Sequence, residues 1–235
     1  MHSYLEILDR ANEGEYLSEE NWDLEKIAAT ARRLVKKHHI EWDRNQIIPD
    51  DPVLSEAIFQ AGLEMAVEVG AYCRSTERML AFKPEEIEDG LRTMPQHVPM
   101  GEGKDAVDLY ARQLGDTRAP HFFGGTPGTP IPERYFLANV LSNVQEPLID
   151  LATCGTLTEV DGRTVRTGNP LEIVATRREL EYMHAALRRA GRPGMGMLAA
   201  QSSVSELGDL AAAQAGYLRP CDSHLVPVLN ELKMD

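Results

Sequence analysis

Apolar residues recur at helical spacing in the first third of the chain. Ser18 precedes three acidic residues, as an N-cap residue precedes the first turn of a helix, and Trp22, Ile27 and Leu34 follow with helical periodicity. This pattern predicts a helix that runs to about His38. We expect this helix to belong to a helical cap and not to a repeating barrel unit.

A second amphipathic stretch follows Pro52 and ends near Gly70, where the apolar stripe stops. Between Cys73 and Gly115 the pattern changes to short alternating segments that are interrupted by prolines. We expect a small β-hairpin region there, with one helix over residues 84–93.

Gly101 and Gly103 frame a short glycine-rich segment. Glycines at such spacing can cradle a phosphate, but neither a G-x-G-x-x-G string nor a Walker lysine follows them. The segment therefore predicts a turn.

From residue 116 onward, short apolar runs alternate with helical stretches, which is how β/α alternation is written in a sequence. The four predicted strands are His121-Phe122-Phe123, Leu148 to Thr153, Met195 to Leu198 and Leu225 to Leu229. The predicted helices between them are Glu133–Val144, Pro170–Ala190 and Val204–Ala215. Connecting helices make such a sheet parallel.

Four β/α units are half of an eight-unit barrel, and the sequence stops where a fourth helix would begin. We therefore expect an α/β protein in which residues 116–235 are the N-terminal half of a (β/α)8 TIM-type barrel. Residues 1–115 would form a helical cap with a hairpin. A half-barrel leaves two open sheet edges, which favours pairing with another chain. A complete small doubly wound sheet is the alternative.

Composition narrows the classes of partner. The chain has 24 basic and 37 acidic residues, a formal charge of −13, and a pI near 5.0. This charge excludes nucleic acid and disfavours an anionic membrane. No apolar run approaches the ~20 residues of a membrane span, and the first residues carry acids where a signal peptide would be basic. We expect a cytoplasmic protein.

Three cysteines lie far apart in the sequence and form no C-x-x-C pair. This predicts reduced, structural thiols. Cys221 and His224 have the spacing of two metal ligands, but a closed zinc site needs four, so we expect no metal.

Several strings resemble the monomethylamine:corrinoid-protein methyltransferase family, in the family's order. The most specific is Gly191-Arg192-Pro193-Gly194-Met195-Gly196, which resembles the approach to the family's active-site residue. The others are Trp22-Asp23-Leu24, Ala61-Gly62-Leu63-Glu64-Met65, Asp105-Ala106-Val107, Gly115-Asp116, Gly124-Gly125, Asp222-Ser223-His224 and Asn230-Glu231-Leu232-Lys233. The resemblance covers essentially the whole chain.

The resemblance implies a (β/α)8 barrel, assembled into oligomers, that moves a methyl group from a methylated amine to the cobalt of a separate corrinoid protein. It also implies a place in methylamine metabolism and methanogenesis. The resemblance also implies that pyrrolysine, whose side chain contains an electrophilic imine, holds the amine in the family. Leu198 stands at that position here and has no electrophilic carbon.

Gln201 stands where the family places a glutamate beside the pyrrolysine. A neutral amide binds a cationic amine less strongly than a carboxylate does. The two differences together predict either a donor with good leaving-group character, such as a quaternary amine, or a paralogue without methylamine activity.

The predicted catalytic residues are Gln201, Asp222 and His224, and the predicted substrate-binding residues are Met197, Leu198 and Ser202. Asp222 and His224 alternate on one side of an extended segment, where they would bond to each other or to a bound group; a structural pair is the alternative. Their string resembles the D-x-H-x-x-G of cobalamin-binding domains, but Pro227 breaks it. We therefore expect no cofactor on this chain and a corrinoid on a partner protein.

The leading hypothesis is methyl transfer from a methylated amine to a corrinoid protein, by a homo-oligomer or together with a complementing C-terminal half. The first alternative is a non-catalytic half-barrel that acts as an interaction or vestigial protein. The second is a different enzyme on a similar barrel, which the fold alone does not exclude.

Overall fold

The computed structural model describes residues 4–47, 50–113, 115–199, 206–214, 216–224 and 232–234. Contacts divide the chain into two compact units, residues 1–94 with 228–235, and residues 95–227. The domain boundary that the sequence predicts after residue 115 stays a prediction. Contacts group the segment from residue 95 to residue 115 with the strands that follow it.

Helices dominate the first unit. α1 (Tyr4–Glu13) is followed by α2 (Glu19–Asn21), a π-helical segment (Trp22–Ala28) and α3 (Ala29–Lys37). Ser18 caps α2 by accepting a hydrogen bond from the Asn21 backbone N–H. The predicted start at Ser18 and end near His38 are therefore confirmed.

α4 (Pro52–Val69) is the second predicted helix, and it ends at Gly70 as expected. Asp51 caps it, since its carboxylate accepts the backbone N–H groups of Val53 and Leu54. Ion pairs and hydrogen bonds link the two helices, and they join Glu64 or Glu68 of α4 to basic residues of α3 or to its C-cap residue His38.

A three-stranded sheet completes the first unit. β1 (Ala71–Cys73) pairs antiparallel with β2 (Arg78–Leu80), and α5 (Pro84–Thr93) follows them with the predicted bounds. β11 (Lys233–Met234) adds to the other edge of β1 in parallel orientation. The sequence pattern did not predict β11, because its partner lies far away in the chain.

The second unit opens with a hairpin. β3 (His97–Met100) pairs antiparallel with β4 (Val107–Tyr110), and a 3₁₀ turn (Gly103–Asp105) connects them. The turn predicted at Gly101 and Gly103 is confirmed, because both glycines have positive φ angles, of 74° and 60°.

Parallel strands follow, and the first three of them each precede a helix. β5 (Phe123–Gly124) and α6 (Glu133–Val144) come first, then β6 (Leu151–Ala152) and α7 (Leu171–Arg189). β9 (Leu198–Ala199), α8 (Glu206–Ala212) and β10 (Ser223–His224) complete the series. The bounds of α6 agree with the prediction to the residue, and α7 agrees within one residue at each end.

The pairings between these strands are parallel, as predicted. β5 pairs with β6, β9 pairs with β10, and a parallel bridge between Ala152 and Met197 connects β6 to β9. The fourth strand was predicted at residues 225–229, which lie outside the described part of the chain. The described strand is Ser223–His224, so extended pairing begins earlier than the apolar run indicated.

A small hairpin between β6 and α7 was not predicted. β7 (Glu159–Val160) and β8 (Arg163–Thr164) pair antiparallel across the Asp161-Gly162 turn, in which both residues have positive φ. Asp-Gly between two short strands is a recognised hairpin signal that the sequence did contain.

The main core of the second unit lies between the strands and two helices. Its fully buried side chains come from α6, α7 and the strand segments, and they include Phe136, Val140, Ala152, Met183, Leu187, Met195 and Met197. Ala152 and Met197 therefore belong to the face of the sheet that is covered by helices. Residues next to them along each strand project from the other face.

Candidate functional site at the strand ends

The carboxyl ends of β5, β6, β9 and β10 lie side by side, and they carry one row of residues on the face that does not meet α6 and α7. The row is Gly125, Thr153, Leu198 and Ser223. Ser223 pairs with Leu198 directly. Gly125 and Thr153 each follow one residue after a paired position, which sets them at the same level. We call these four residues the Leu198 row.

Leu198, a predicted substrate-binding residue, is half-buried within this row. Met197, also predicted to bind substrate, points the other way: its side chain is fully buried in the helix-covered core. The structure thus gives Met197 a packing environment, and its contact with a substrate stays a prediction.

Asp222, a predicted catalytic residue, is held by an arginine. Its side chain is fully buried, and its carboxylate accepts hydrogen bonds from Arg219 Nη2 at 2.8 Å and Nε at 3.0 Å. It also accepts the backbone N–H of Arg219 at 2.8 Å and that of Met197 at 2.9 Å. These contacts engage both carboxylate oxygens, and they make Asp222 a structural support of β9. A catalytic role for it stays a prediction.

The hydrogen bond to Asp222 raises the pKa of the Arg219 guanidinium above its ordinary value. The guanidinium also donates to the carbonyl oxygens of Pro193 at 2.7 Å and Met195 at 2.6 Å. One cation therefore ties Asp222 to the glycine-rich segment that leads into β9.

A second set of contacts holds the same segment from the β3–β4 side. The Glu102 N–H donates to the Gly194 carbonyl at 2.8 Å, and the Gly194 N–H donates to Asp105 Oδ2 at 3.2 Å. Gly101 lies so close that a Cβ on it would meet Gly194 O at 2.7 Å and Gly196 N at 2.8 Å. Gly194 and Gly196 of the Gly191–Gly196 string are thus needed for close backbone packing, since a Cβ on Gly194 would collide with Glu102 O and one on Gly196 would meet Gly101 N at 2.9 Å.

Gln201 and Ser202, predicted as catalytic and substrate-binding residues, lie outside the described residues. The backbone of His224 belongs to β10, and its side chain is outside the described part of the chain. The structure therefore brings Leu198 to the strand ends and places Asp222 at the support of β9. The predicted bond between Asp222 and His224 stays a prediction.

Two residues of this region were missed by sequence reasoning. Arg219 stands three residues before Asp222, a spacing that favours an ion pair, and this signal was present. Thr153 ends the predicted second strand, but its place beside Leu198 depends on strand register, which the local sequence does not carry.

The described residues contain no group of three or more His, Cys, Asp or Glu side chains that could hold a metal ion. Cys73, Cys154 and Cys221 form no disulfide bond with one another. Burial raises the pKa of the Cys221 thiol, which keeps it protonated and a poor metal ligand. In the described part of the chain, none of the helices is long and apolar enough to cross a membrane.

Comparisons with known proteins give one and the same family along almost the whole chain. The sequence model of the family described as monomethylamine methyltransferase MtmB matches residues 3–235. The chain is 36% identical over 230 residues to monomethylamine methyltransferase MtmB of Methanosarcina mazei, and this match covers 98% of the chain and 50% of the relative. MtmB2 of Methanosarcina acetivorans matches with the same identity and coverage.

Solved structures give the same result. The crystal structure of the Methanosarcina barkeri monomethylamine methyltransferase superposes with a TM-score of 0.93 at 35% identity, covering 98% of this chain and 50% of that one. The crystal structure of a hydroxylamine complex of MtmB matches equally well. The chain thus spans about half the length of the relatives it matches, and it belongs to the monomethylamine methyltransferase MtmB family.

Proposed function

We propose that this chain takes part in methyl transfer from a methylated amine to a corrinoid protein. The observation that carries the proposal is the family match over residues 3–235, which includes the glycine-rich segment that leads to Leu198. The amine nitrogen must keep the electron pair of the C–N bond as the methyl group passes to the acceptor. A methylated ammonium, protonated or quaternary, meets this requirement because it departs as a neutral amine.

We propose further that residues 116–235 form the first half of a (β/α)8 barrel. The parallel pairing of β5 with β6 and of β9 with β10, and the helices that follow β5, β6 and β9, support this. In such barrels the site lies at the carboxyl ends of the strands. The Leu198 row lies at those ends.

The donor is held here without the adduct attributed to pyrrolysine, because Leu198 has an aliphatic side chain. Gln201 in place of glutamate removes a carboxylate from the same pocket. The amine is therefore bound by neutral groups and by exclusion of water, and the site gives up the electrostatic attraction of an anion.

The corrinoid acts in this proposal as a substrate carried by a partner protein. The string Asp222-Ser223-His224 resembles a cobalt-binding motif, but Pro227 departs from it. The Asp222 carboxylate is already engaged by Arg219 and by the Met197 N–H. The described residues therefore do not fit a resident corrinoid.

The test is methyl transfer to Co(I) cobalamin by the purified chain, followed by the change in cobalt absorbance with mono-, di-, tri- and tetramethylammonium. We expect a change with at least one of these amines. No change with any of them removes the proposal for this chain.

A charge substitution sharpens this experiment. Gln201→Glu should tighten binding of the cationic amines, because a carboxylate attracts an ammonium where an amide does not. Gln214→Glu is the matched control, since Gln214 is exposed beyond α8 and bonded to Arg177. Unchanged affinity in Gln201→Glu would place residue 201 away from the amine.

A non-catalytic interaction protein is the second candidate. The aliphatic side chain of Leu198 favours it, because the position attributed to the family's electrophile carries none. Size-exclusion chromatography of the purified chain tests the expected self-association. A monomer without methyl transfer would oppose both candidates.

A further inference from the structure

A buried hydroxyl without a hydrogen-bond partner lies in the Leu198 row. Thr153 is 4% exposed, and its Oγ1 makes no hydrogen bond within the described structure. Buried hydroxyl groups in proteins are almost always bonded to protein or water. An unbonded hydroxyl at the end of a strand in the candidate site indicates that a bound molecule supplies its hydrogen-bond partner.

The neighbours of Thr153 define where its hydroxyl acts. Ala152, the residue before it, pairs with Met197 and belongs to the helix-covered core. Thr153 therefore projects from the opposite face, at the level of Leu198. The Thr153 methyl carbon Cγ2 lies toward Gly125, where a Cβ would meet it at 2.7 Å. The hydroxyl is the substituent that has no hydrogen-bond partner within the described structure.

Shape alone does not explain threonine at this position. Valine has nearly the same shape and leaves no unmade hydrogen bond, so packing would favour it. A hydroxyl that destabilises the protein by an unmade hydrogen bond has a function when a ligand makes that hydrogen bond.

We propose that Thr153 Oγ1 accepts a hydrogen bond from the ammonium N–H of a methylated amine bound over the Leu198 row. This rests on the proposed function, and it makes Thr153 a binding residue that selects donors with at least one N–H. Mono-, di- and trimethylammonium each carry at least one N–H, whereas tetramethylammonium carries none. The inference thus decides against the quaternary donor that Leu198 and Gln201 suggested.

The chain offers a matched control in Thr176 of α7. It is also fully buried, and its Oγ1 also lacks a partner within the described structure, but α7 covers the opposite face of the sheet. Thr176→Val makes the same chemical change away from the Leu198 row. It reports what the loss of an unbonded buried hydroxyl does by itself.

The experiment is isothermal titration of the full chain with each of the four ammonium ions. For Thr153→Val we expect affinity for mono-, di- and trimethylammonium to fall about tenfold, which is the effect of one hydrogen bond to a charged group. Affinity for tetramethylammonium should not fall. Thr153→Ser keeps the hydroxyl and should keep the wild-type order of affinities, and Thr176→Val should bind as wild type does. Melting curves without amine establish that each variant folds.

Three results overturn the inference: no binding of any amine by the wild-type chain, equal binding by Thr153→Val, or an equal loss for tetramethylammonium. The inference and the proposed function fail separately. Thr153-dependent binding without methyl transfer to Co(I) cobalamin would retain the site and remove the reaction. Methyl transfer that is indifferent to Thr153→Val would do the reverse.

Discussion

The carboxylate of Asp222 accepts the backbone N–H of Met197 at 2.9 Å, so an anion from the start of β10 holds the start of β9. Arg219 neutralises this anion and reaches the carbonyl oxygens of Pro193 and Met195. The position of Leu198 is therefore set by an ion pair that lies beside the strand and that does not have to touch a substrate.

Removing the cation should show how much the Arg219–Asp222 ion pair stabilises the folded state. In Arg219→Met the fully buried Asp222 side chain loses its counter-charge, and we expect the free energy of unfolding to fall by about 3 kcal/mol. Urea denaturation measures the change. Adding Asp222→Asn to the same variant should recover part of the loss, because no charge then stays buried.

Arg118→Met is the matched control for that variant. Arg118 pairs with Asp116, and its side chain is 53% exposed against 21% for Arg219, so water reaches this pair more easily and its loss should cost less. Equal losses in the two arginine variants would contradict the support role of Arg219.

Two glycines separate steric contact from backbone strain. Gly101 and Gly103 both have positive φ, but only Gly101 has backbone atoms where a Cβ would be placed. Gly101→Ala should lower the free energy of unfolding by about 2 kcal/mol more than Gly103→Ala, whose cost is strain alone. Chemical denaturation of both variants checks this, and similar values would show that the segment 194–196 shifts freely.

The Asp116 carboxyl gives a pH-dependent prediction. Hydrogen bonds from Arg118 lower its pKa from 3.8 to about 2. A depressed carboxyl pKa stabilises the folded state fully above the unfolded value, and this contribution is lost as the pH falls from 3.8 toward 2. NMR titration of the Asp116 carboxyl should show the low pKa. Arg118→Gln should return it toward 3.8, and a pKa that stays low would assign the shift to another group.

Lys233 should hold β11 on the sheet of the first unit. Its ammonium donates to Glu19 at 2.7 Å and to Asp23 at 2.8 Å, and these bonds raise its pKa. In Lys233→Met the amides of Tyr72 and Arg74, which donate to Leu232 and Met234, should exchange about tenfold faster.

Hydrogen exchange with mass spectrometry measures this opening. Lys36→Met is the control, because Lys36 is exposed on α3 and should leave both amides protected. Unchanged exchange in Lys233→Met would mean that backbone pairing alone retains β11.

Local patterns predicted the helices well because their determinants are close in sequence. The Ser18 cap, the Pro52 start and the apolar spacing of α6 each act within a few residues. The π-helical segment at Trp22–Ala28 escaped prediction, since an apolar stripe does not distinguish it from an α-helix.

The site was harder to predict because it depends on which strands are neighbours. Asp222 carries chemistry in its side chain, and the sequence alone could not show that the Met197 N–H, 25 positions away, engages it. Nothing in the local sequence distinguishes Thr153 from any threonine at the end of an apolar run. It becomes a candidate only after strand register sets it beside Leu198.

The parallel pairing of β1 with β11 has a consequence for biosynthesis. Glu19 and Lys233 are 214 positions apart, so the ribosome releases the N-terminal helices long before the strand that closes their sheet has been made. The strands from β5 to β10 meet partners much nearer in sequence and can assemble earlier. During translation the edge of β1 that pairs with β11 therefore stays open for most of synthesis, and a nascent chain would need protection from unwanted strand pairing there.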